Sequence, residues 1–318
     1  MKENDKKVSI LFWGTPEFSI PAFEALIKGG YKIAAVITNP DEPKGRAQEL
    51  TPPPIKVAAG RHDILVLQPE KLEIKNFKSE IPEADLYIVA AYGKIISKEI
   101  LELPRYGVLN IHPSLLPRWR GPSPIQYAIL NGDKEAGVTI IQIDELMDHG
   151  PIVAQRKAQN INCKAAYQEL HDLLARLGAE LLTETLPKYL TGEITPIPQN
   201  DLKATFSKLF KRDDGRVDWK KSAEDIDRMI RALNPWPGTW TLLPARDKIY
   251  RVKIQKGEAV AKESGRTSGN LWTESGELFA QTGIGSILLK ELTMEGKKPL
   301  TGKDFLKGYS QFIGATLI

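Results

Sequence analysis

The stretch Gly107-Val108-Leu109-Asn110-Ile111-His112-Pro113-Ser114-Leu115-Leu116-Pro117-Arg118-Trp119-Arg120-Gly121 decides how the first half of this chain folds. Its first six residues read as a buried strand that runs into a proline-rich loop. Side chains alternate across a strand, so Val108, Asn110 and His112 point one way and Leu109 and Ile111 the other. An amide and an imidazole two residues apart, at the carboxyl end of a strand, lie where open α/β sheets place their ligands. Either residue alone reads as a turn former or a satisfied polar group. Together, on one face and beside a loop, they read as a site.

Outward from this strand the sequence alternates strand and helix signals. Residues 8–12, 32–38 and 86–91 are short runs rich in Val, Ile and Leu, and a helix is predicted over 16–26. Such alternation predicts a mostly parallel sheet covered by helices, with 138–143 and 152–155 as later strands. Residues 165–186 place Leu170, Leu173, Leu174, Leu177, Leu181 and Leu182 at helical intervals and close the domain. Gly192, Pro196 and Pro198 mark 191–200 as a connection. A helix over 223–233 and short alternating segments at 239–243, 249–254, 278–282 and 286–289 predict a small β-barrel.

The 318 residues are 42% hydrophobic and 26% charged, which suits a soluble globular chain of one large or two ordinary domains. No apolar run predicts a signal peptide or a membrane span, and one cysteine, Cys163, excludes an internal disulfide and reads as an inert thiol. These features predict a cytoplasmic protein with no membrane partner. The net charge of +4 is uneven: −2 over residues 1–207 and +6 over 208–318. A basic carboxyl-terminal third is compatible with a polyanionic partner and equally with a solvated surface. The turn Gly14-Thr15-Pro16 lacks the glycine spacing of a dinucleotide fingerprint, there is no phosphate-cradling glycine loop, and His and Cys spacing predicts no metal site.

The string N-I-H-P-S-L-L-P-R-W-R-G at 110–121, with P-I-Q at 124–126, resembles the signature of the formyltransferases that use 10-formyltetrahydrofolate. F-W-G-T-P-E-F at 12–18, A-Y-G-K at 91–94, G-V-T-I at 137–140, R-V-D-W at 216–219 and R-A-L-N-P-W-P-G at 231–238 extend the likeness over nearly the whole chain. It is closest to the branch that acts on methionyl-tRNA. The resemblance implies a Rossmann-like catalytic domain over 1–189, a linker over 190–207 and an OB-like β-barrel over 208–318 that assists tRNA binding. It also implies a folate co-substrate and initiator methionyl-tRNA as acceptor; no metal is expected, and the chain is read as a monomer. Related enzymes formylate an amino sugar nucleotide or glycinamide ribonucleotide; the second domain, Trp119 and the 231–238 motif favour the tRNA acceptor.

The implied reaction is acyl transfer to an amine, through a tetrahedral species with charge on oxygen. Asn110 supplies a neutral amide donor for that oxygen, and His112 can donate to it or shuttle a proton. The family's pattern assigns the orienting carboxylate to Asp148, although spacing alone leaves Asp144 and Glu145 open. Ser114, Leu115, Leu116 and Pro117 match the folate-contacting segment, with Ala91, Tyr92 and Gly93 as further lining, Tyr92 being equally suited to the core. Arg118 and Arg120 flank Trp119 and read as a phosphate clamp or as cover for the loop. The loop 39–54 is implied to face tRNA, but its only cations are Lys44 and Arg46; Lys208, Lys211 and Arg212 are better placed for phosphate. The segment 143–150 departs from the family by lacking a glycine and a threonine around the aspartate. That makes His149 either an exposed loop residue or a neighbour of the site, whereas His62 and His171 read as surface residues.

Overall fold

A computed structural model describes residues 8–45, 48–72, 74–159, 164–245 and 248–318. The chain divides into two compact units, one of residues 1–124, 135–161 and 168–208, the other of 125–134, 162–167 and 209–318. In chain order the first half contains β1 (Ser9–Gly14), α1 (Ile20–Lys28), β2 (Lys32–Ile37), β3 (Glu42–Lys44), β4 (Glu49–Thr51), α2 (Pro54–Gly60), β5 (Val66–Leu67), α3 (Ile74–Glu80), β6 (Leu86–Ala90), α4 (Lys98–Leu101), β7 (Val108–His112), α5 (Pro124–Leu130), β8 (Gly137–Gln142), β9 (Ile152–Lys157) and α6 (Tyr167–Leu190).

The first unit is built on a seven-stranded sheet of order β5-β2-β1-β6-β7-β8-β9. The pairs from β5 through to β7 are parallel, and β8 and β9 add two antiparallel strands at the far edge. The mostly parallel sheet expected from the alternating signals is therefore present. Strands covered on both faces must be apolar throughout, and β6 is buried at all five positions. One face carries Leu11, Trp13, Ile37, Tyr87, Val89 and Val108 in a continuous core. On the other face α6 lies close to β7: a Cβ built on Gly178 would sit 2.7 Å from Ile111 Cγ2. The helix runs on to Leu190 with Pro187 inside it, four residues beyond its predicted end.

Segment 190–207 runs over this unit, with Ile197 exchanging both backbone hydrogen bonds with Ile152 at 2.8 Å. The loop 39–54 contains a two-stranded hairpin, β3 against β4, which alternation could not reveal in strands of three residues.

The second unit contains α7 (Ala223–Leu233), β10 (Thr239–Pro244), β11 (Ile249–Val260), β12 (Leu271–Glu274), β13 (Glu277–Gln281), β14 (Ser286–Met294), β15 (Leu300–Thr301) and α8 (Gly302–Gly308). Its antiparallel sheet has the order β10-β11-β14-β13-β12, with β15 on β14. The tail closes the two ends: Ile318 and Leu242 exchange backbone hydrogen bonds at 2.9 Å, while Leu271 N–H donates to the Ala315 carbonyl and Leu317 N–H to that of Gly269. Both outer strands thus find partners for their edge groups. Ser275 and Gly276 both have positive φ, 51° and 76°, as the tight β12–β13 hairpin requires.

Candidate active site

Strand β7 is buried at every position but Asn110, which is partly exposed. Its parallel neighbour β6 pairs Val89 with Asn110, so the turn Ala91–Gly93 that follows β6 lies at the same edge of the sheet. Asp148 comes from the loop after β8; β8 is antiparallel to β7 and ends beside Leu109, and the loop then folds back so that Asp148 lies against Asn110 and His112. Three elements distant in sequence therefore converge: Asn110 Nδ2 donates to Asp148 Oδ1 at 3.3 Å, and His112 Nδ1 lies 3.5 Å from the same oxygen. The other carboxylate oxygen, Oδ2, accepts from the Gly121 amide at 2.8 Å.

His112 is almost wholly enclosed, and its Nε2 lies 3.0 Å from the Trp119 carbonyl. A carbonyl oxygen can only accept, so this contact assigns a proton to Nε2 and leaves Nδ1, on the Asp148 side, as the atom that exchanges a proton. Trp119 is turned for this contact with φ of 59°, and Asp148 has φ of 50°. Non-glycine residues hold such left-handed conformations at a cost of about 1–3 kcal/mol, and they gather at sites whose surroundings enforce them.

The loop after β7 is fixed from below. Buried Thr139 on β8 donates its hydroxyl to the Ser114 carbonyl at 2.7 Å and accepts from Leu116 N–H at 3.1 Å. Gln155 on β9 donates to the Leu116 carbonyl at 2.9 Å and to Thr139 Oγ1 at 2.8 Å. Ser114 and Leu116 are buried, while Leu115 and Pro117 stay partly exposed. Much of the loop's polar backbone is engaged internally, and what the loop leaves partly exposed includes the apolar Leu115 and Pro117 side chains.

The two arginines of the loop separate in role. Arg118 is exposed, its guanidinium 4.3 Å from the centre of the Trp119 ring. Arg120 is buried; it donates to Gln199 Oε1 at 2.9 and 3.1 Å and to Asp201 Oδ1 at 2.7 Å. The phosphate-clamp reading of Arg120 is thereby replaced by an internal one, because the residue is buried and its Nε and Nη2 already donate to Gln199 and Asp201. Gln199 in turn donates to the backbone carbonyls of Asp148 and Gly150 at 2.9 and 2.8 Å. Farther along, Trp119 N–H donates to Thr205 Oγ1, and Ser207 N–H to the Arg120 carbonyl. Sequence reading missed this support set of Thr139, Gln155, Gln199, Asp201 and Thr205. The signal that could have found its first member is a threonine inside an otherwise apolar buried strand.

Ala91 and Gly93 are exposed with φ of 52° and 84°. Tyr92 between them points its ring into the core beside Trp13, and burial lifts its hydroxyl pKa to about 12. What Tyr92 presents at this edge is its carbonyl, which accepts from Thr15 Oγ1 and Asn39 Nδ2, both at 3.2 Å. The Tyr92 side chain is thus core packing and not pocket lining, because its ring is buried against Trp13.

Lys208, Lys211 and Arg212 are exposed. Lys44 lies in β3, and Arg46, like Cys163, falls outside the described residues. His149 is partly exposed and bound to two aspartates, Asp144 and Asp201. His62 is exposed as expected. His171 is not: it is buried on α6 with its ring 5.5 Å from that of Phe18 and Nδ1 2.8 Å from Asp172. Its place one residue after Leu170 on the inner face of the helix puts it there. Among the described residues no group of three or more His, Cys, Asp or Glu could hold a metal ion, and no helix is long and apolar enough to cross a membrane.

Residues 6–186 match the formyl transferase family and residues 210–310 match the formyl transferase C-terminal domain. A methionyl-tRNA formyltransferase of Citrifermentans bemidjiense is 40% identical over 311 residues, covering 97% of this chain and 96% of that protein. Another, of Chloroflexus aurantiacus, is 41% identical over 305 residues, covering 94% and 96%. Among solved structures, HypX from Aquifex aeolicus in complex with tetrahydrofolic acid aligns with a TM-score of 0.66 at 18% identity, over 96% of this chain and 48% of HypX. An N-formyltransferase from Helicobacter canadensis, in complex with folinic acid and dTDP-3-aminofucose, aligns with a TM-score of 0.62 at 19% identity, over 89% and 99%. These two structures share the fold.

Proposed function

This chain belongs to the formyl transferase family, and on that premise we propose that Asn110, His112 and Asp148 catalyse transfer of a formyl group from 10-formyltetrahydrofolate to the α-amino group of initiator methionyl-tRNA. The folate supplies the activated formyl group. The reaction exchanges one C–N bond for another: the bond from N10 to the formyl carbon breaks, the bond from the methionyl amine forms, and one proton leaves the amine while one is gained at N10.

The observation that carries the reading is the convergence of the Asn110 amide, His112 Nδ1 and Asp148 Oδ1 within 3.5 Å at the one partly exposed position of a buried strand. Negative charge grows on the formyl oxygen as the amine attacks. The Asn110 amide is a neutral donor that need not be reoriented in bulk water to meet that charge, and losing such a donor costs on the order of 10²–10³ in rate. His112 Nδ1, with its ring fixed by Trp119, accepts or returns the amine proton, and Asp148 stabilises the ring when it is charged. Ser114, Leu115, Leu116 and Pro117, with the exposed backbone at Ala91 and Gly93, form the folate-facing wall. Catalysis resides in residues 1–189. Lys44, Arg46, Lys208, Lys211 and Arg212 meet tRNA phosphates, with 190–207 as the connection and 208–318 assisting. Its action on initiator tRNA supports a cytoplasmic location.

The test is to mix the protein with 10-formyltetrahydrofolate and charged initiator tRNA and assay formylmethionyl-tRNA, with an amino sugar nucleotide in parallel. Formylation of the tRNA, lowered by about two decades in Asn110→Ala, is the expected result. Turnover on the sugar alone would keep the chemistry and overturn the acceptor.

A further inference from the structure

The loop that carries Asp148 holds a second imidazole with a carboxylate at each nitrogen. His149 Nδ1 lies 2.6 Å from Asp144 Oδ2, and Nε2 lies 3.4 Å from Asp201 Oδ2. A neutral imidazole has one N–H and one lone pair, so it serves one carboxylate and turns the lone pair on the other. The imidazolium donates to both. We propose that His149, as an imidazolium, is a positioning residue that fastens the Asp148 loop to the segment carrying Asp201 and so aims the catalytic carboxylate. The inference rests on the formyl-transfer reading above.

The contacts close a circuit. Asp201 accepts from Arg120 at 2.7 Å; Arg120 precedes Gly121, whose amide holds Asp148 Oδ2 at 2.8 Å; and Asp148 precedes His149. The loop needs such fastening because Asp148 holds a left-handed φ of 50°. Within the loop, Asp144 also accepts from Leu146 N–H at 3.0 Å, and a Cβ on Gly150 would fall 1.8 Å from the Gln142 carbonyl oxygen. The loop thus has little slack at either end, and His149 joins it by charge to the segment that carries Asp201.

The charged groups around the ring are Asp144 and Asp148 from its own loop, Asp201 facing it, and Arg120 behind Asp201. Glu145 pairs instead with Lys98. Asp144 foremost, with Asp201 adding to it, holds the His149 pKa above its ordinary value. A group whose pKa is raised in the folded state contributes below its ordinary pKa and ceases to contribute as pH rises through the raised one. The clasp is therefore complete below the ordinary imidazole pKa of about 6.5 and opens as pH rises through the raised one. His149 is 34% exposed and Asp201 62%, so water screens the pair and the effect is a few-fold change, not decades.

The experiment follows formyl transfer to initiator methionyl-tRNA by the full chain over about pH 6 to 9. Wild type is compared with His149→Gln and Asp201→Asn, and the four imidazoles are titrated by nitrogen-detected NMR. His149→Gln should lower kcat roughly three- to tenfold with KM for either substrate changed less than about twofold, and should lack a descending alkaline limb present in wild type. Asp201→Asn should lower the His149 titration midpoint, and this readout survives if the glutamine variant fails to fold. A glutamine variant with wild-type kcat and pH profile, or a His149 midpoint unmoved by Asp201→Asn, overturns the inference. Wild type inactive on methionyl-tRNA, with the midpoint still moved by Asp201→Asn, would instead sink the functional reading and leave the clasp without its catalytic role.

Discussion

The amide of Gly121 holds Asp148 Oδ2 at 2.8 Å and so turns Oδ1 toward Asn110 and His112. Gly121 reaches that position with φ of 106°, and a Cβ there would stand 2.5 Å from the Ser207 carbonyl oxygen. Gly121→Ala is therefore strained twice over, in its backbone and against Ser207. We expect a loss of about 2 kcal/mol or more in stability and at least a tenfold fall in kcat. Urea unfolding and steady-state kinetics check this, and an alanine variant with unchanged kcat would remove the Gly121 amide from the aiming of Asp148.

Thr139→Val keeps the shape of a buried side chain and deletes its hydroxyl. The Ser114 carbonyl, Leu116 amide and Gln155 side chain are each deprived of a partner. Buried groups left unpaired cost about 1–3 kcal/mol each, although Gln155 retains the Leu116 carbonyl. The folate-facing loop loosens, so KM for the folate should rise several-fold while tRNA affinity stays put. An unchanged folate KM would show that the loop keeps its shape without this support.

Tyr92→Phe tests the opposite situation. The Tyr92 hydroxyl is buried and finds no hydrogen-bond partner among the described residues. Deleting an unsatisfied buried hydroxyl is neutral or stabilising by up to about 1 kcal/mol. Thermal melting should show no loss, and the folate KM should not move. A raised KM would return Tyr92 to the pocket.

Replacing Lys208 and Lys211 with Ala should weaken tRNA binding and flatten its dependence on salt. Each phosphate that is no longer neutralised by a lysine takes roughly 0.7–0.9 off the slope of log K against log salt. Lys211 holds its turn through its backbone amide, which donates to Asp214 Oδ2 at 2.6 Å, so truncating the side chain leaves that bond in place. Binding measured at several salt concentrations decides the matter, and an unaltered slope would move the phosphate-binding role to other residues.

Asp85 ties the first strand to the sheet and predicts an acid sensitivity. The Ser9 amide and hydroxyl both donate to its Oδ2 at 2.8 Å, and the Ser9 amide is the main cause that lowers its pKa. A carboxyl whose pKa is lowered by folding stabilises above its unfolded value of about 3.9, and that contribution is lost as pH falls through the folded value. Asp85→Ala should cost about 1 kcal/mol at neutral pH, with the difference from wild type shrinking below about pH 4. A difference independent of pH would show that the carboxylate charge plays no part.

Much of the site was legible in the order of residues, because local periodicity and side-chain chemistry are properties of neighbours in sequence. The alternation at 107–112 put Asn110 and His112 on one face, apolar runs of Val and Ile announced β1, β6 and β7, and the leucine spacing announced α6. The β3–β4 hairpin and the two-residue strands β5 and β15 were not legible, since pieces so short have no period to read. Arg120 and His171 carry the chemistry of surface residues, and only their tertiary partners, Gln199 and Asp201 for the one and Phe18 for the other, make them internal.

What the sequence alone determined is which chemical groups the reaction has available and which side of a strand two of them occupy. Tertiary structure decided their aim. Asp148 faces Asn110 and His112 because the loop after β8 folds back against β7, because the Gly121 amide grips one carboxylate oxygen, and because residues 199–207 lie across the loop. The hydrogen bonds that fix Asp148 join residues 27 or more positions apart in the chain. Hydrogen bonds act over about 3 Å of space whatever the separation along the chain, so the chain must fold before that carboxylate has a direction.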